Sequence, residues 1–407
     1  VNILQINKFY YLRGGSERYV FELSELLKEK GHKIIPFSMK DSRNFKSEYD
    51  RYFIEPVKMD KFSIKNIIKL FYNYEAVKKL NKLLKNEKID IAHLHNISHH
   101  LSPAIIKVLK KNNIPVVQTL HDYKLICPNY RLFSKNNVCI QCKNKRYYYC
   151  FKKKCIKNSY TKSFIGMLEA YFNNKFLKIY DKIDLFISPS NYLKNVCVDF
   201  GIKKEKIEVI NNFIDLPNQN KEIEKENYFL YFGRLSKEKG WEVIVEAFKN
   251  IDGDFKIKIA GVGDDYKYIK NKIDKNNLKE KIELVGPKYD EELYKLIASA
   301  KAIVIPSIWP ENFPYSILES IALGKIVVCS KIGGMPEIIK DGVNGFLFSP
   351  GDYNELTNIL TKINNLSTFE ANNIKEMAIK SAALYGKNDH YTKILNVYNR
   401  FLLANIK

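Results

Sequence analysis

The sequence predicts an α/β protein built from two doubly wound domains in tandem. Three observations carry that expectation. Short apolar runs alternate with amphipathic helical stretches along the chain, the pattern of a parallel sheet covered by helices on both faces. The alternation breaks once, across a polar stretch at 211–227, and then restarts. The 407 residues suit two domains, or at most three, at roughly 100–200 residues each.

In the first half, 1–6, 34–38, 89–93, 116–119, 185–188 and 207–210 read as buried strands. Between the first two, 17–30 carries Val20, Leu23, Leu26 and Leu27 on one helical face. Pro217, set among Asn, Lys and Glu, marks the polar stretch as a linker. After it, 228–232, 255–260, 282–285, 302–306 and 326–329 read as a second set of strands. The tail places Tyr391, Ile394, Leu395 and Tyr398 at helical spacing. The expected boundaries are 1–212 and 213–385, with a Cys-rich basic insert at 127–162 and a C-terminal helix at 386–407 packing back on the first domain. Ligands in such sheets bind beyond the carboxyl ends of the strands, so the expected site is a cleft where two sets of strand ends face each other.

Composition narrows the class. Hydrophobic residues make up 45% of the chain, enough for full cores and against disorder. No apolar run reaches the roughly 18 residues of a membrane span. The first residues read as a strand and not as a signal peptide, so the expected location is cytoplasmic. The net charge of +22 favours anionic partners such as phosphorylated substrates, acidic lipid or nucleic acid. A Lys- and Asn-rich composition throughout accounts for part of it.

The segment 310–348, PENFPYSILESIALGKIVVCSKIGGMPEIIKDGVNGFLF, concentrates the chemistry. Glu311 and Glu319 are separated by seven residues, the first on a loop and the second inside the helix that follows. Helix-start amides suit an anionic or hydroxyl-rich ligand, and two carboxylates can accept hydrogen bonds from sugar and ribose hydroxyls. With Gly333-Gly334, Pro336-Glu337 and Gly342-Val343-Asn344-Gly345, this segment resembles family 4 glycosyltransferases of the GT-B fold, two Rossmann-like domains around a cleft. YFGRLSKEKGW at 231–241, Gly14-Gly15-Ser16-Glu17, HDY at 121–123, SPSNYLKN at 188–195 and VINNFID at 209–215 fall in the family's order, so the resemblance spans essentially the whole chain. It implies a retaining hexosyltransferase moving a sugar from a nucleotide-diphosphate donor to a glycan or polyprenyl-phosphate-linked acceptor in surface polysaccharide synthesis.

Breaking a sugar–diphosphate bond puts charge on the leaving group, which fixed cations and amides must stabilise. Arg234, a planar fork for phosphate, and Lys239, a point charge, are the residues for this. Gly233 lets the backbone approach closely. The resemblance gives both cations the donor diphosphate, Glu311 the sugar and Glu319 the ribose. It places Phe313, Pro314, Tyr315 and Ser316 beside the donor, although Pro314 has no N–H to offer. Gly14 and Gly15 clear side chains from a helix start where an anion meets amides. His121 follows a strand, and the resemblance puts it on the donor sugar. His95 and Asn96 are assigned to the acceptor. His93 and His95 are expected on opposite strand faces. The resemblance departs at Phe213, where a glycine commonly follows Asn212, and at Pro314, where many members carry Gly. It implies no cofactor for catalysis.

Cys139-x2-Cys142-x7-Cys150-x4-Cys155, with Cys127 as a fifth thiol, has metal-ligand spacing. In a cytosolic protein this points to structural zinc stapling a loop without its own apolar core, with free thiols or an iron–sulfur cluster as alternatives. The insert also carries Lys143, Lys145, Arg146, Lys152, Lys153, Lys154, Lys157 and Lys162 interleaved with aromatics. That composition suits an anionic membrane surface, a phosphorylated lipid, plain solvent or RNA, and the Lys-flanked helical patterns at 62–84 and 164–179 extend it. The other functional classes are an epimerase or phosphorylase on the same fold, and a nucleic-acid-binding protein. The last has no recognisable motif, and no nucleic acid is expected.

Overall fold

The computed structural model describes residues 1–57, 63–215 and 226–404. Most of the expected linker, 216–225, and the start of the 62–84 pattern lie outside the described residues. The chain divides into two compact units. The first comprises Val1–Ser134, Val138–Asn211 and the segment from Asn388 onward; the second comprises Asn212–Lys387 with Lys135–Asn137.

In chain order the first six-stranded sheet uses β1 (Asn2–Ile6), β2 (Lys33–Phe37), β3 (Ile91–Leu94) and β4 (Val116–Thr119). A two-stranded sheet of β5 (Phe133–Ser134) and β6 (Asn137–Val138) follows, and then come β7 (Leu185–Ser188) and β8 (Ile207–Val209). The sheet order is β2-β1-β3-β4-β7-β8, with every pair parallel. The order reverses direction between β1 and β3, so the loops after those strands diverge at a switch point. The helix Gly15–Glu29 buries Tyr19, Val20, Leu23, Leu26 and Leu27, spaced as one helical face. Glu17 stands in its first turn, and Gly31, at φ +83°, ends it. The helix Lys387–Ala404 buries Ile394, Val397 and Tyr398. The Tyr398 hydroxyl bonds His93 Nδ1 at 2.7 Å, and Arg400 pairs with Glu208.

The second sheet repeats the plan with β9 (Phe229–Phe232), β10 (Ile257–Ala260), β11 (Ile282–Gly286), β12 (Ala302–Ile305), β13 (Ile326–Ser330) and β14 (Phe346–Phe348). Its order is β11-β10-β9-β12-β13-β14, again all parallel, with the switch point between β9 and β12. Central strands covered on both faces read as continuous apolar runs, as FLYF in β9 and AIVI in β12 do, every residue being buried. The core centres on Trp241, Ile244 and Phe248 from the helix Trp241–Asn250 packed under β9 and β10. The indole N–H is satisfied by Asp265 at 2.9 Å.

Gly240 joins the turn after β9 to that helix. Its φ is +75°, and a Cβ there would lie 1.8 Å from the carbonyl oxygen of Pro306. Both the left-handed backbone and the close approach exclude a side chain. Gly240→Ala should therefore destabilise the protein by on the order of 2 kcal/mol or more, read as a lower midpoint in urea unfolding; an unchanged midpoint contradicts the packing described.

Candidate active site

The site residues of the second domain lie on loops that leave the strand ends beside its switch point. Gly233, at φ +145°, and Arg234 follow β9 directly. The Tyr231 hydroxyl donates to the Arg234 carbonyl at 2.8 Å and holds that turn. The Arg234 guanidinium is more than half exposed and pairs with the buried carboxylate of Glu238 at 3.1 Å. Lys239 reaches across the switch point to Glu311, on the loop after β12, with Nζ 2.5 Å from Oε1. Ser307 Oγ donates to the same oxygen at 2.7 Å, and the ammonium lies 5.7 Å from the Trp309 ring centroid. Burial raises the Glu311 carboxyl, but Lys239 and the hydrogen bonds from Lys239 and Ser307 outweigh it and hold the group below its ordinary value. Glu311 is thus an anion in a buried position, which burial alone would oppose.

The Glu311 backbone is equally constrained. Its carbonyl accepts from the Gly334 amide at 2.7 Å. Gly333, at φ +66°, would put a Cβ 2.3 Å from that carbonyl oxygen. The glycine pair after β13 is therefore a packing requirement of the Glu311 loop. Phe313 is buried against Tyr385, and its carbonyl accepts from Asn212 Nδ2 at 2.8 Å. Phe213 is buried too. Pro314 caps the helix Tyr315–Ala322, which buries Tyr315 and leaves Ser316 and Glu319 half-buried. Sequence reasoning missed Glu238, Ser307 and Trp309. The signal was available for Ser307: it is a polar residue just past the end of an all-apolar strand at a switch point.

The first domain places histidines at the equivalent positions after β3 and β4. Gly14 is extended, and Gly15 begins the first helix; both are exposed. Glu17 beside them is buried, raised by burial and bonded by Ser16 Oγ at 3.0 Å. After β3 and β4 lie His95 and His121, stacked with ring centroids 5.3 Å apart and Nδ1 of His95 3.0 Å from Nε2 of His121. His95 Nε2 meets Gln5 Oε1 at 2.6 Å. That amide oxygen only accepts, so His95 donates from Nε2 and His121 donates to His95 Nδ1. His95 is 1% exposed with both nitrogens engaged, so it orients His121. His93 does not point away from His95 as expected. Residues two apart on a strand share a face, and the two rings lie 4.4 Å apart. His93 bonds Tyr398 and Thr119, each at 2.7 Å. His390 bonds the Tyr19 hydroxyl at 3.2 Å and the Asn211 carbonyl at 2.9 Å. Asn96 holds the loop after β1: its amide donates to Asn7 Oδ1 at 3.1 Å and its carbonyl accepts from Lys8 at 2.9 Å. His95, Asn96, Ser98, His121, Asp122 and Tyr180 line a small pocket at these strand ends.

The cysteine insert differs from expectation. All seven cysteines are free thiols. Among the described residues, no three His, Cys, Asp or Glu side chains form a group that could hold a metal, so zinc on Cys139, Cys142, Cys150 and Cys155 is not supported. Cys127 meets Asn129 Oδ1 at 3.0 Å, and Cys155 meets Ser134 Oγ at 3.8 Å. Cys139 donates its amide to the Leu132 carbonyl at 2.8 Å. The hydrogen bond between Cys150 and Cys155 lowers the Cys155 thiol and raises that of Cys150, whereas burial pushes Cys127 up to about 11. The insert also has the apolar core it was expected to lack, with Cys142, Tyr147 and Cys150 buried.

Two parallel α/β domains in one chain, the second with an ion-paired carboxylate and cations at its switch point, form a GT-B glycosyltransferase. Residues 13–217 match the family model described as Glycosyltransferase Family 4, and 212–381 match the one described as Glycosyl transferases group 1; the chain belongs to glycosyltransferase family 4. It is 29% identical over 373 residues to an uncharacterized glycosyltransferase of Methanocaldococcus jannaschii, covering 90% of this chain and 89% of that one. It is 30% identical over 217 residues to an N-acetylgalactosamine-N,N'-diacetylbacillosaminyl-diphospho-undecaprenol 4-alpha-N-acetylgalactosaminyltransferase of Campylobacter jejuni, covering 50% and 59%. Its fold is similar to that of Anabaena HepE in complex with UDP and glucose, at a TM-score of 0.71 with 18% identity over 98% and 99% of the two chains.

Two outcomes follow from this geometry. Lys239→Ala leaves the buried Glu311 anion without its ammonium and should cost roughly 3–5 kcal/mol, while adding Glu311→Gln should recover a large part of that loss. Additive effects in the double-mutant cycle contradict the pairing. Burial holds His93, His121 and His390 neutral, at about 3. Below their ordinary value near 6.5 the unfolded chain takes up protons that the folded domain refuses, at up to about 1.4 kcal/mol per pH unit for each group. Unfolding free energy should therefore fall steadily from pH 7 to 5.5, and a flat profile excludes neutral buried imidazoles.

Proposed function

We propose that the protein is a retaining hexosyltransferase that moves a sugar from a nucleotide-diphosphate donor to a glycan or polyprenyl-phosphate-linked acceptor in surface polysaccharide synthesis. The observation that carries this reading is the Lys239–Glu311–Ser307 cluster beside Arg234 at the switch point of the second domain. Arg234 and Lys239 take the donor diphosphate, Glu311 holds the sugar hydroxyls and Glu319 the ribose. The amides of Phe313, Tyr315 and Ser316 and the backbone at Gly233 face the phosphates. Gly14 and Gly15 offer helix-start amides from the first domain, and His121, oriented by His95, contacts the donor sugar.

A carboxylate with an ammonium at 2.5 Å and a hydroxyl at 2.7 Å on one oxygen is a weak nucleophile. This favours front-face transfer over a covalent Glu311 intermediate. The acceptor hydroxyl oxygen bonds to the anomeric carbon as the bond to the diphosphate breaks, and its proton passes to the departing phosphate oxygen. The two cations stabilise the charge that develops there. The reaction needs no cofactor. A Campylobacter relative named for a diphospho-undecaprenol substrate supports a lipid-linked acceptor. That acceptor puts the enzyme on the cytoplasmic side beside an anionic membrane surface.

A panel of nucleotide-sugars, scored by thermal shift and by slow donor hydrolysis, tests the reading: one donor should raise the melting temperature and be hydrolysed. With that donor, Arg234→Ala should lose about 10²–10³-fold in kcat/KM while its melting temperature without ligand stays within a few degrees. Near-normal turnover by the variant removes Arg234 from the mechanism, and no shift with any donor removes the donor class.

A further inference from the structure

We propose that the first domain docks on an anionic lipid bilayer through an apolar face shared by two neighbouring helices, Ile64–Phe71 and Tyr160–Ala170. The helix Ile64–Phe71 has no buried residue. Ile64 and Ile68, one turn apart, are 79% and 50% exposed. Along the second helix and the π-helical turn Tyr171–Phe176 that continues it, Phe164, Leu168, Phe172 and Phe176 recur at every fourth position, which keeps them on roughly one side. Phe164, Leu168 and Phe176 are exposed, the last at 74%. The two stripes join where the Phe71 ring meets the Phe172 ring at 5.5 Å.

The charge around this face decides its partner. Between 143 and 178 the sequence carries ten Lys and Arg and one carboxylate, Glu169. That carboxylate is buried in an ion pair with Lys124 at 2.5 Å, so it offsets nothing at the surface. Lys154 lies 4.2 Å from the Tyr160 ring centroid and Lys175 5.8 Å from that of Tyr171. Such amphipathic side chains place an apolar stem or ring against acyl chains and a polar tip at the headgroups. A second copy of this chain would bring two cationic rims together. Nucleic acid would leave Ile64, Ile68 and Leu168 without anything to stack on. Acidic headgroups over an apolar interior satisfy both the ridge and its rim. The inference deepens the proposed lipid-linked acceptor and rests on that reading for its purpose, whereas its test uses neither donor nor acceptor.

Flotation of the full chain with vesicles decides it. Binding to phosphatidylcholine vesicles containing 30% phosphatidylglycerol (about a third of the headgroups then being anionic) should exceed binding to pure phosphatidylcholine at least tenfold and fall with added salt. The double variant Ile64→Ser/Phe176→Ser should lose at least tenfold, and Lys154→Glu/Lys162→Glu a similar factor. Both should keep the wild-type melting temperature and the nucleotide-sugar thermal shift, because none of the four residues belongs to the donor site. Equal binding by wild type and variants, no preference for the anionic vesicles, or a self-associated wild type that the Ser variant converts to monomer without changing vesicle binding would each overturn the proposal. Loss of the nucleotide-sugar shift in wild type would instead overturn the donor reading and leave vesicle binding to be judged by itself.

Discussion

The ion pair between Lys239 and Glu311 is the constraint around which the second domain is arranged. It joins the loop leaving β9 to the loop leaving β12, the two strands that flank the switch point. A charge pair so little exposed is tolerated only when its remaining hydrogen-bonding capacity is met. Ser307 supplies one such bond, and Glu238 gives Arg234 a partner on the same turn. Both backbones must also close tightly. Gly240 lies on the Pro306 carbonyl and Gly333 on the Glu311 backbone. The glycines that look like a motif in the sequence are thus the steric consequence of holding two opposite charges at one place. The carboxylates thus fix both cations in place, so any anion that binds them finds them preorganised.

The first domain meets the same topology with a cluster of imidazoles. Its switch-point loops carry imidazoles held neutral by burial and linked through Gln5, Thr119, Tyr19 and Tyr398. Neutral imidazoles donate and accept at once, and a chain of them transmits orientation: the Gln5 oxygen sets His95, and His95 sets His121. Two of the partners, His390 and Tyr398, come from the C-terminal helix, so the last element of the chain completes a network begun by its first strand.

Much of this was legible in the sequence. Eleven of the twelve strands in the two large sheets lie within two residues of the apolar runs that predicted them, because buried parallel strands have few ways to look otherwise. β14 escaped notice as a three-residue strand inside a glycine-rich segment. Arg234, Lys239 and Glu311 were singled out by the resemblance of their segments to the family's, and the structure pairs Lys239 with Glu311 and Arg234 with Glu238. The residues around them were not singled out. Ser307, Glu238 and Trp309 have common residue types, and only the sheet order makes them neighbours. The histidines show a different failure: the H-x-H spacing was visible, but its consequence, one shared face, was misassigned. The cysteine spacing misled because buried thiols serve as small hydrophobes as readily as ligands, and the insert packs Cys142 and Cys150 around Tyr147.

The helix Ile64–Phe71 shows why exposure can be informative when it is costly. Eight residues are too few to hold a helix in water by propensity alone. Its Ser63 cap satisfies the Asn66 amide at 3.1 Å, and its tertiary support includes one aromatic contact with Phe172. Where tertiary packing secures a surface helix, its apolar residues face the core; here Ile64 and Ile68 face outward. The helix is also tied by Lys69, which pairs with Glu75 at 3.4 Å. The contacts that hold the helix thus leave Ile64 and Ile68 in water, and the free energy of covering them is available to a partner.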